Sequence, residues 1–412
     1  MDSGEKIEET TMVDRSVSFL KLFFFTVSFL CQRDQISVTS ALSNRPEYET
    51  LISRCFSFAV ERQVENVVLS FLFGFGYGYK CTLLESLCTC SSLITLDVQN
   101  CGFNNVVISW NSLKSIKLGY LRLTDDDMVK LLSGCPALET MELYSFIGFH
   151  RLEINSLKLK TLKLKDYVRV GGNGDDLEIL SPYIQNLEIS GEDLECRLVD
   201  VSSVVNAKLI YSFLCIKGIP SIYVKDCCHE YRQVVYTLVQ DNLQKLCYAT
   251  DLTIGTWFTK FRWDYCTSWS FESLATRETI SIELEYTLID DFLVNDNSCC
   301  NLELLDLAKE DNMDLLSWVS SVEFHNLKKV KIVISSDACW KDHVKTCFEK
   351  VSKLAEFLLL NAPIFENFVI ISKRRRCETC SMNCLSQHLS LLADKLLGCP
   401  RLSTNAAINF QE

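Results

Sequence analysis

The stretch Leu131-Leu-Ser-Gly-Cys-Pro-Ala-Leu-Glu-Thr-Met-Glu-Leu143 carries two structural instructions in succession. Just upstream and into it, Met128, Val129, Leu131 and Leu132 recur at helical spacing and line one face of a short helix. Thr124 and Asp125 stand in front of them as N-cap candidates. Gly134 can adopt the left-handed conformation that ends a helix, and Pro136 cannot continue one. Leu138, Met141 and Leu143 then follow an L-x-x-L-x-L pattern, in which Met141 and Leu143 share one face of a strand. A helix-plus-strand unit this small cannot bury its own apolar face and needs copies stacked beside it.

The copies are in the chain. Cys90-Ser-Ser-Leu93-Ile-Thr-Leu96-Asp-Val98 and Cys299-Cys-Asn-Leu302-Glu-Leu-Leu305-Asp-Leu307 repeat the pattern, each with cysteine three places before the first leucine. Cys399-Pro-Arg-Leu402 keeps only the opening. Copies without the cysteine begin at Val64, Leu113, Leu159, Ile184, Val204, Ile219, Ala249, Thr279 and Leu327. From Val64 to Leu327 the spacing averages about 24 residues, within the leucine-rich-repeat range. The expected fold is therefore an α/β leucine-rich-repeat solenoid, a curved parallel sheet with short helices. Cys101 and Phe103 complete the longer repeat template once, so a continuous asparagine ladder is not expected.

Composition narrows the function. With 53 Asp and Glu against 41 Lys and Arg, the net charge of −12 is opposite to that of a nucleic-acid-binding chain. Six prolines and 15 glycines in 412 residues argue against long disordered linkers. The 21 cysteines are scattered and odd in number. Four of them (Cys90, Cys135, Cys299, Cys399) recur at one repeat position, where a free thiol acts as a small apolar group. That usage points to a reducing compartment, cytoplasmic and/or nuclear. The apolar run Val17–Leu30 is too short to span a bilayer and is broken by Lys21. Acidic residues dominate its N-terminal flank, unlike a secretory signal, so no membrane partner is expected.

Residues 14–46 run Asp-Arg, an apolar stretch read as helix, Ser-Phe-Leu, a basic-acidic pair, a Ser/Thr-rich apolar stretch and Leu-Ser-x-Arg. On Asp14, Arg15, Ser28, Phe29, Leu30, Arg33, Asp34, Leu42, Ser43 and Arg45 this resembles the F-box of the plant F-box/leucine-rich-repeat proteins that carry an FBD region. Cys31 stands where that motif has a proline and Pro46 where it has a tryptophan, which makes the F-box degenerate. Farther on, Leu327 to Ile334 reads as a strand, about Lys341 to Leu360 as a helix, and Phe365 to Ile371 as another strand. With Leu358-Leu-Leu-Asn-Ala-Pro363 between helix and last strand, this is similar to the FBD region of the same family. The resemblance implies an N-terminal segment over 1–55 with the F-box at 14–46, repeats over 56–320 and a small α/β FBD-like unit over 321–412. It also implies a non-enzymatic role, substrate recognition for an SCF-type ubiquitin ligase, with a Skp-type adaptor, a cullin and a protein substrate as partners. Phe29, Leu30, Ile36, Val38 and Leu42 are the expected adaptor contacts, on the reasoning that apolar helix faces carry such docking. The alternative is a stand-alone repeat protein whose F-box no longer binds an adaptor.

Other motifs have a bland reading beside a chemical one. Gly74-Phe-Gly-Tyr-Gly78 lacks the third glycine of a dinucleotide loop, since position 79 is Tyr79, and reads as a turn. Asp125-Asp126-Asp127 suits the positive end of a helix better than a metal site. Trp257, Phe261, Trp263, Tyr265 and Trp269 suit core or partner surface. Lys373-Arg-Arg-Arg376 is either an import signal or a solvated strand end. Cys377, Cys380, Cys384 and His388 have zinc-ligand atom types but also the spacing of one helix face. His150, His229, His325, His343 and His388 are scattered, and Cys228-His229 adjacency is not a nucleophile–base geometry. No cofactor, metal or catalytic residue is assigned.

Overall fold

The computed structural model describes residues 27–32, 35–41, 57, 60–72, 81–83, 85–102, 106–168, 176–191, 196–211, 237–239, 241–255, 277–286, 324–336, 352, 355–373, 384–398, 403 and 407–411. Two compact units make up the chain: Met1–Leu187 with Glu195–Val201, and Glu188–Leu194 with Ser202–Glu412.

In the first unit, β1 (Val27–Gln32) pairs antiparallel with β2 (Gln35–Ala41). From β2 onward every neighbour is parallel and in chain order: β3 (Asn66–Leu72), β5 (Thr95–Gln99), β7 (Ser115–Arg122), β8 (Thr140–Ile147) and β10 (Thr161–Tyr167). The intervening β4 (Cys81–Thr82) and β6 (Cys101–Gly102) pair with each other, and β9 (Arg151–Glu153), β11 (Leu177–Leu180) and β13 (Cys196–Asp200) form a separate parallel sheet, with β12 (Asn186–Gly191) between β11 and β13 along the chain. Short helices α1 (Glu85–Cys88) and α2 (Asp125–Gly134) complete the unit.

The L-x-x-L-x-L pattern is the register of the sheet. Leu138, Met141 and Leu143 are buried, as are Leu93/Leu96/Val98, Leu113/Ile116/Leu118 and Leu159/Leu162/Leu164. Each such side chain is worth about 1.5–3 kcal/mol when removed from water, and neighbouring repeats supply the cover. The position three places before the first leucine is also core, filled by Cys90, Trp110, Cys135 and Ser181. Trp110 fills that slot and satisfies its indole by donating to Leu87 O at 2.7 Å.

One backbone device joins the repeats. The carbonyl of the second pattern residue accepts two N–H groups from the next repeat. Ile94 O, for example, accepts from Lys114 N at 2.9 Å and Ser115 N at 3.1 Å. Lys114 O does the same for Glu139 and Thr140, Glu139 O for Lys160 and Thr161, and Lys160 O for Gln185 and Asn186.

In the second unit, β14 (Asn206–Tyr211), β15 (Asp251–Ile254), β16 (Thr279–Tyr286), β17 (Lys329–Ser336), β18 (Asn367–Lys373) and β19 (Ala407–Gln411) are again parallel and in chain order. Strands β17 and β18 thus continue from β16 by the same ladder, Glu278 O accepting from Lys328 and Lys329 and Lys328 O from Glu366 and Asn367. Residues 355–361 are helical, in the span expected to be helix, and Asn361 ends the run with its carbonyl accepting from Phe324 N at 2.8 Å. Helix α3 (Cys384–Leu397) precedes β19.

Several expectations need correction. Residues 27–32 and 35–41 are strands, not helix. Val129 is 66% exposed, because α2 buries only Met128 and Leu131. Gly134 remains within α2 and is not left-handed; the cap is Cys135. The copy placed at Thr279 is shifted by two residues, since Leu252 pairs with Ile280 and Arg277 therefore occupies the first-leucine slot. The copies at Ile219 and Leu302 and the opening at Cys399 lie outside the described residues.

Candidate docking face

Along each strand of the first unit alternate residues point away from the core, giving rows of side chains one residue per repeat. The first row is small and polar: Asn66, Thr95, Ser115, Thr140, Thr161 and Asn186. Thr95 Oγ1 donates to Asn66 Oδ1 at 2.6 Å, and Asn186 Nδ2 to Thr161 Oγ1 at 3.2 Å. In the second row, two residues on, Asp97, Lys117, Glu142 and Lys163 alternate in sign, and Lys117 Nζ lies 3.4 Å from Glu142. Opposite charges on adjacent strands stabilise the register. In the third row Ser70 Oγ donates to Gln99 Oε1 at 3.1 Å, Gly119 follows, and then Tyr144.

Around Gly119 the rows converge. With no side chain there, the Tyr144 ring leans over β7, and Lys117 Nζ sits 5.1 Å from its centroid. Tyr120 packs edge-on against the same ring, centroids 5.6 Å apart at 83°. Asp97 Oδ1 and the Tyr144 hydroxyl are both buried and make no hydrogen bond. Burial pushes the Asp97 carboxyl above the ordinary carboxylate range; Lys117 pulls it back and Glu142 adds to the rise. Burial, then the Asp97 charge, pushes the Tyr144 phenol up as well. An aromatic pair beside one charged row makes this face suited to gripping a protein side chain.

Burial holds two thiols of this unit in the protonated form. Cys88 and Cys135 are pushed up to about 12, burial being the first cause in both. The Asp125–Asp127 run begins α2 as expected: Asp127 N donates to Thr124 Oγ1 at 3.2 Å and Thr124 N to Asp127 Oδ2 at 3.0 Å, a capping box. Asp125 Oδ1 accepts from the backbone N–H of His150 and of Arg151. Among the described residues no group of three or more His, Cys, Asp and Glu could hold a metal ion. No described helix is long and apolar enough to cross a membrane.

Of the expected adaptor contacts, Phe29 and Leu30 lie in β1 and Ile36 and Val38 in β2. The register places Ile36 beside Val67 and Val38 beside Leu69, the apolar positions of the first repeat. The helical face that recommended these residues is absent, while Leu42 lies outside the described residues, as do Gly74–Gly78, the aromatic stretch at 257–269, Cys228-His229 and Cys377 and Cys380. Cys384 and His388 fall within α3 and Lys373 ends β18, with residues 374–376 outside the described set. The convergence of Asp97, Gly119, Tyr120 and Tyr144 went unread in the sequence. The one signal that could have found it is a glycine interrupting an outward row of a strand.

A family model described as At1g61320/AtMIF1, LRR domain, matches residues 31–224, beginning within β1. The F-box protein At5g03100 of Arabidopsis thaliana is 28% identical over 211 residues, 51% of this chain and 62% of that protein. The F-box/LRR-repeat protein At3g03360 of the same organism is 28% identical over 200 residues, 46% and 38% of the two chains. The FBD-associated F-box protein At5g56370, also from Arabidopsis thaliana, is 29% identical over 130 residues, 31% of each. In each case the match spans less than two thirds of the relative's length. No solved structure matches. Pattern, parallel ladder and comparisons agree: the chain builds a leucine-rich-repeat sheet and is similar to the F-box/LRR-repeat and FBD-associated F-box proteins of Arabidopsis thaliana.

Proposed function

We propose that the chain is a non-catalytic protein-binding adaptor that holds a target on the outward face of its parallel sheet, as the substrate-recognition subunit of an SCF-type ubiquitin ligase. The observation that carries the binding role is the set of ordered side-chain rows, ending in the half-buried Tyr144 beside the exposed Tyr120. The ligase role draws on the relatives' names, which identify them as F-box proteins. In that role a Skp-type adaptor and cullin hold the chain, and a bound target is brought near the ubiquitin-charged enzyme at high effective concentration. The work would take place in the cytoplasm or nucleus.

A second reading, target binding without a Skp adaptor, is favoured by the strands at 27–32 and 35–41, which pair into the repeat sheet instead of forming a helical docking unit. A pull-down of the full-length chain with a purified Skp adaptor and cullin separates the two. Binding that is lost when Phe29, Leu30, Ile36, Val38 and Leu42 are changed to serine supports the ligase reading. No binding by the unaltered chain leaves the stand-alone reading.

A further inference from the structure

The turn that leads into β10 carries side chains the repeat does not require. Two residues precede the first-leucine slot of each repeat. Before Leu93, Leu113 and Leu138 they are Ser91-Ser92, Asn111-Ser112 and Pro136-Ala137, none of them a large apolar residue. Before Leu159 and Ile184 they become Leu157-Lys158 and Pro182-Tyr183. Leu157 is 66% exposed and Tyr183 41%, so burial gives no reason for an apolar side chain at either place. The two turns are neighbours, because Lys160 O accepts from Gln185 N and Asn186 N, both at 2.9 Å.

The charges around this edge do not cancel. Lys158 is exposed and Lys160 half-buried, and neither ammonium makes a hydrogen bond or ion pair among the described residues. Glu139 is the acid beside Lys160, its carbonyl accepting from Lys160 N at 2.9 Å, but its carboxylate lies 3.8 Å from Lys114 Nζ. Glu153, upstream on β9, is held by Arg151 at 3.5 Å. On the far side stand the neutral Gln185 and Asn186. A chain of net charge −12 thus keeps a local positive excess here, next to two exposed apolar side chains. Lys160 is also held in place, since its N–H and carbonyl both belong to the ladder and Leu159 before it is fully buried. Such an edge is complementary to a segment in which carboxylates flank an apolar side chain: the apolar contact supplies affinity, and the charges supply on-rate and choice of partner. A bare polyanion would use the lysines and leave Leu157 and Tyr183 idle.

We propose that Leu157, Tyr183, Lys158 and Lys160 form a docking site distinct from the outward rows, which takes an acidic segment of a target protein with an apolar residue among its carboxylates. This goes beyond the reading of the outward face, and a failure here leaves that reading untouched.

The test uses the full-length chain and a displayed library of random peptides selected at low salt. Enriched peptides are synthesised and titrated against the unaltered chain, Leu157→Ser, Tyr183→Ser and the double variant Lys158→Glu/Lys160→Glu. The peptides should share aspartate or glutamate next to an apolar residue. The double variant should bind them about tenfold or more weakly. Peptides whose acids are replaced by lysine should lose the unaltered chain and regain the double variant. Leu157→Ser and Tyr183→Ser should each weaken binding about fivefold. Both should leave the thermal midpoint of the free chain unchanged, as exposed positions do. A lowered midpoint would mean that these side chains pack within the fold, and the proposal would fall. No enrichment, peptides without a shared acid, or binding indifferent to the edge variants would overturn it too. A single-stranded oligonucleotide should bind weakly and ignore Leu157→Ser. If it binds as tightly as the peptides, the edge is a general polyanion surface and the proposal is lost.

Discussion

The Tyr144 ring lies in the space that a side chain at Gly119 would need: a Cβ there would come within 2.0 Å of Tyr144 Cζ. Gly119 does not have left-handed backbone, so the requirement for glycine is this close approach alone. Gly119→Ala should therefore cost about 1–3 kcal/mol, typical of overpacking, by forcing the ring off its position. In a Tyr144→Ala background the same change should cost far less. Urea denaturation of the four variants closes the cycle, and additivity within about 0.5 kcal/mol would refute the coupling.

What the sequence reveals depends on which side of the strand a residue faces. Leu138, Met141 and Leu143 and their counterparts announce themselves because burial by stacking demands the same apolar spacing in each copy. Outward residues carry no such demand. Asp97, Lys117 and Tyr144 are neighbours only across strands, twenty or more residues apart, and no local pattern marks them. The segments at 27–32 and 35–41 are ambiguous in the sequence for a related reason. Short apolar segments suit helix or strand equally until a partner strand is known, and here β3 supplies that partner. Arg277 hid a repeat because the first-leucine slot is recognised by apolar character, which an arginine lacks.

Gly134 offers a second test. A Cβ on it would lie 2.5 Å from Ile108 O, and its own carbonyl accepts from Trp110 N at 2.8 Å. Ordinarily glycine to alanine within a helix gains nearly 1 kcal/mol. Here the obstacle is backbone that cannot swing aside, so Gly134→Ala should destabilise the chain by about 2 kcal/mol. A higher thermal midpoint for this variant would show that α2 tolerates the extra carbon.

The raised pKa of Asp97 makes a signed prediction. The folded chain holds the Asp97 proton more tightly than the unfolded chain, so the ionised carboxylate opposes folding above its folded pKa. That cost fades as pH falls through the folded value toward the unfolded one, near 3.9. Asp97→Asn should accordingly be more stable than the parent at neutral pH, with the gap closing toward about pH 4. Parallel urea titrations at both pH values measure it. A gap that widens on acidification would mean that Asp97 is held by favourable partners.

Arg277 takes a leucine's place and performs different work. Fully buried, it donates through Nη1 to the carbonyls of Leu246 and Ala249 and through Nη2 to Leu243 O at 3.4 Å. Those carbonyls close the helical run at 241–245 and the turn after it, where a helix leaves acceptors unused and favours positive charge. Burial lowers the guanidinium to about 10, which still leaves it charged at neutral pH. Arg277→Leu would restore the usual residue but strand these acceptors, at roughly 1–3 kcal/mol for each group left unsatisfied. Arg277→Lys keeps the charge but loses the fork that spans several carbonyls, so it should rescue only partly. Amide hydrogen exchange over residues 243–255 should accelerate in both variants, more in Arg277→Leu. Unchanged protection in the leucine variant would show that the slot asks only for apolar volume and that the arginine is incidental to the repeat.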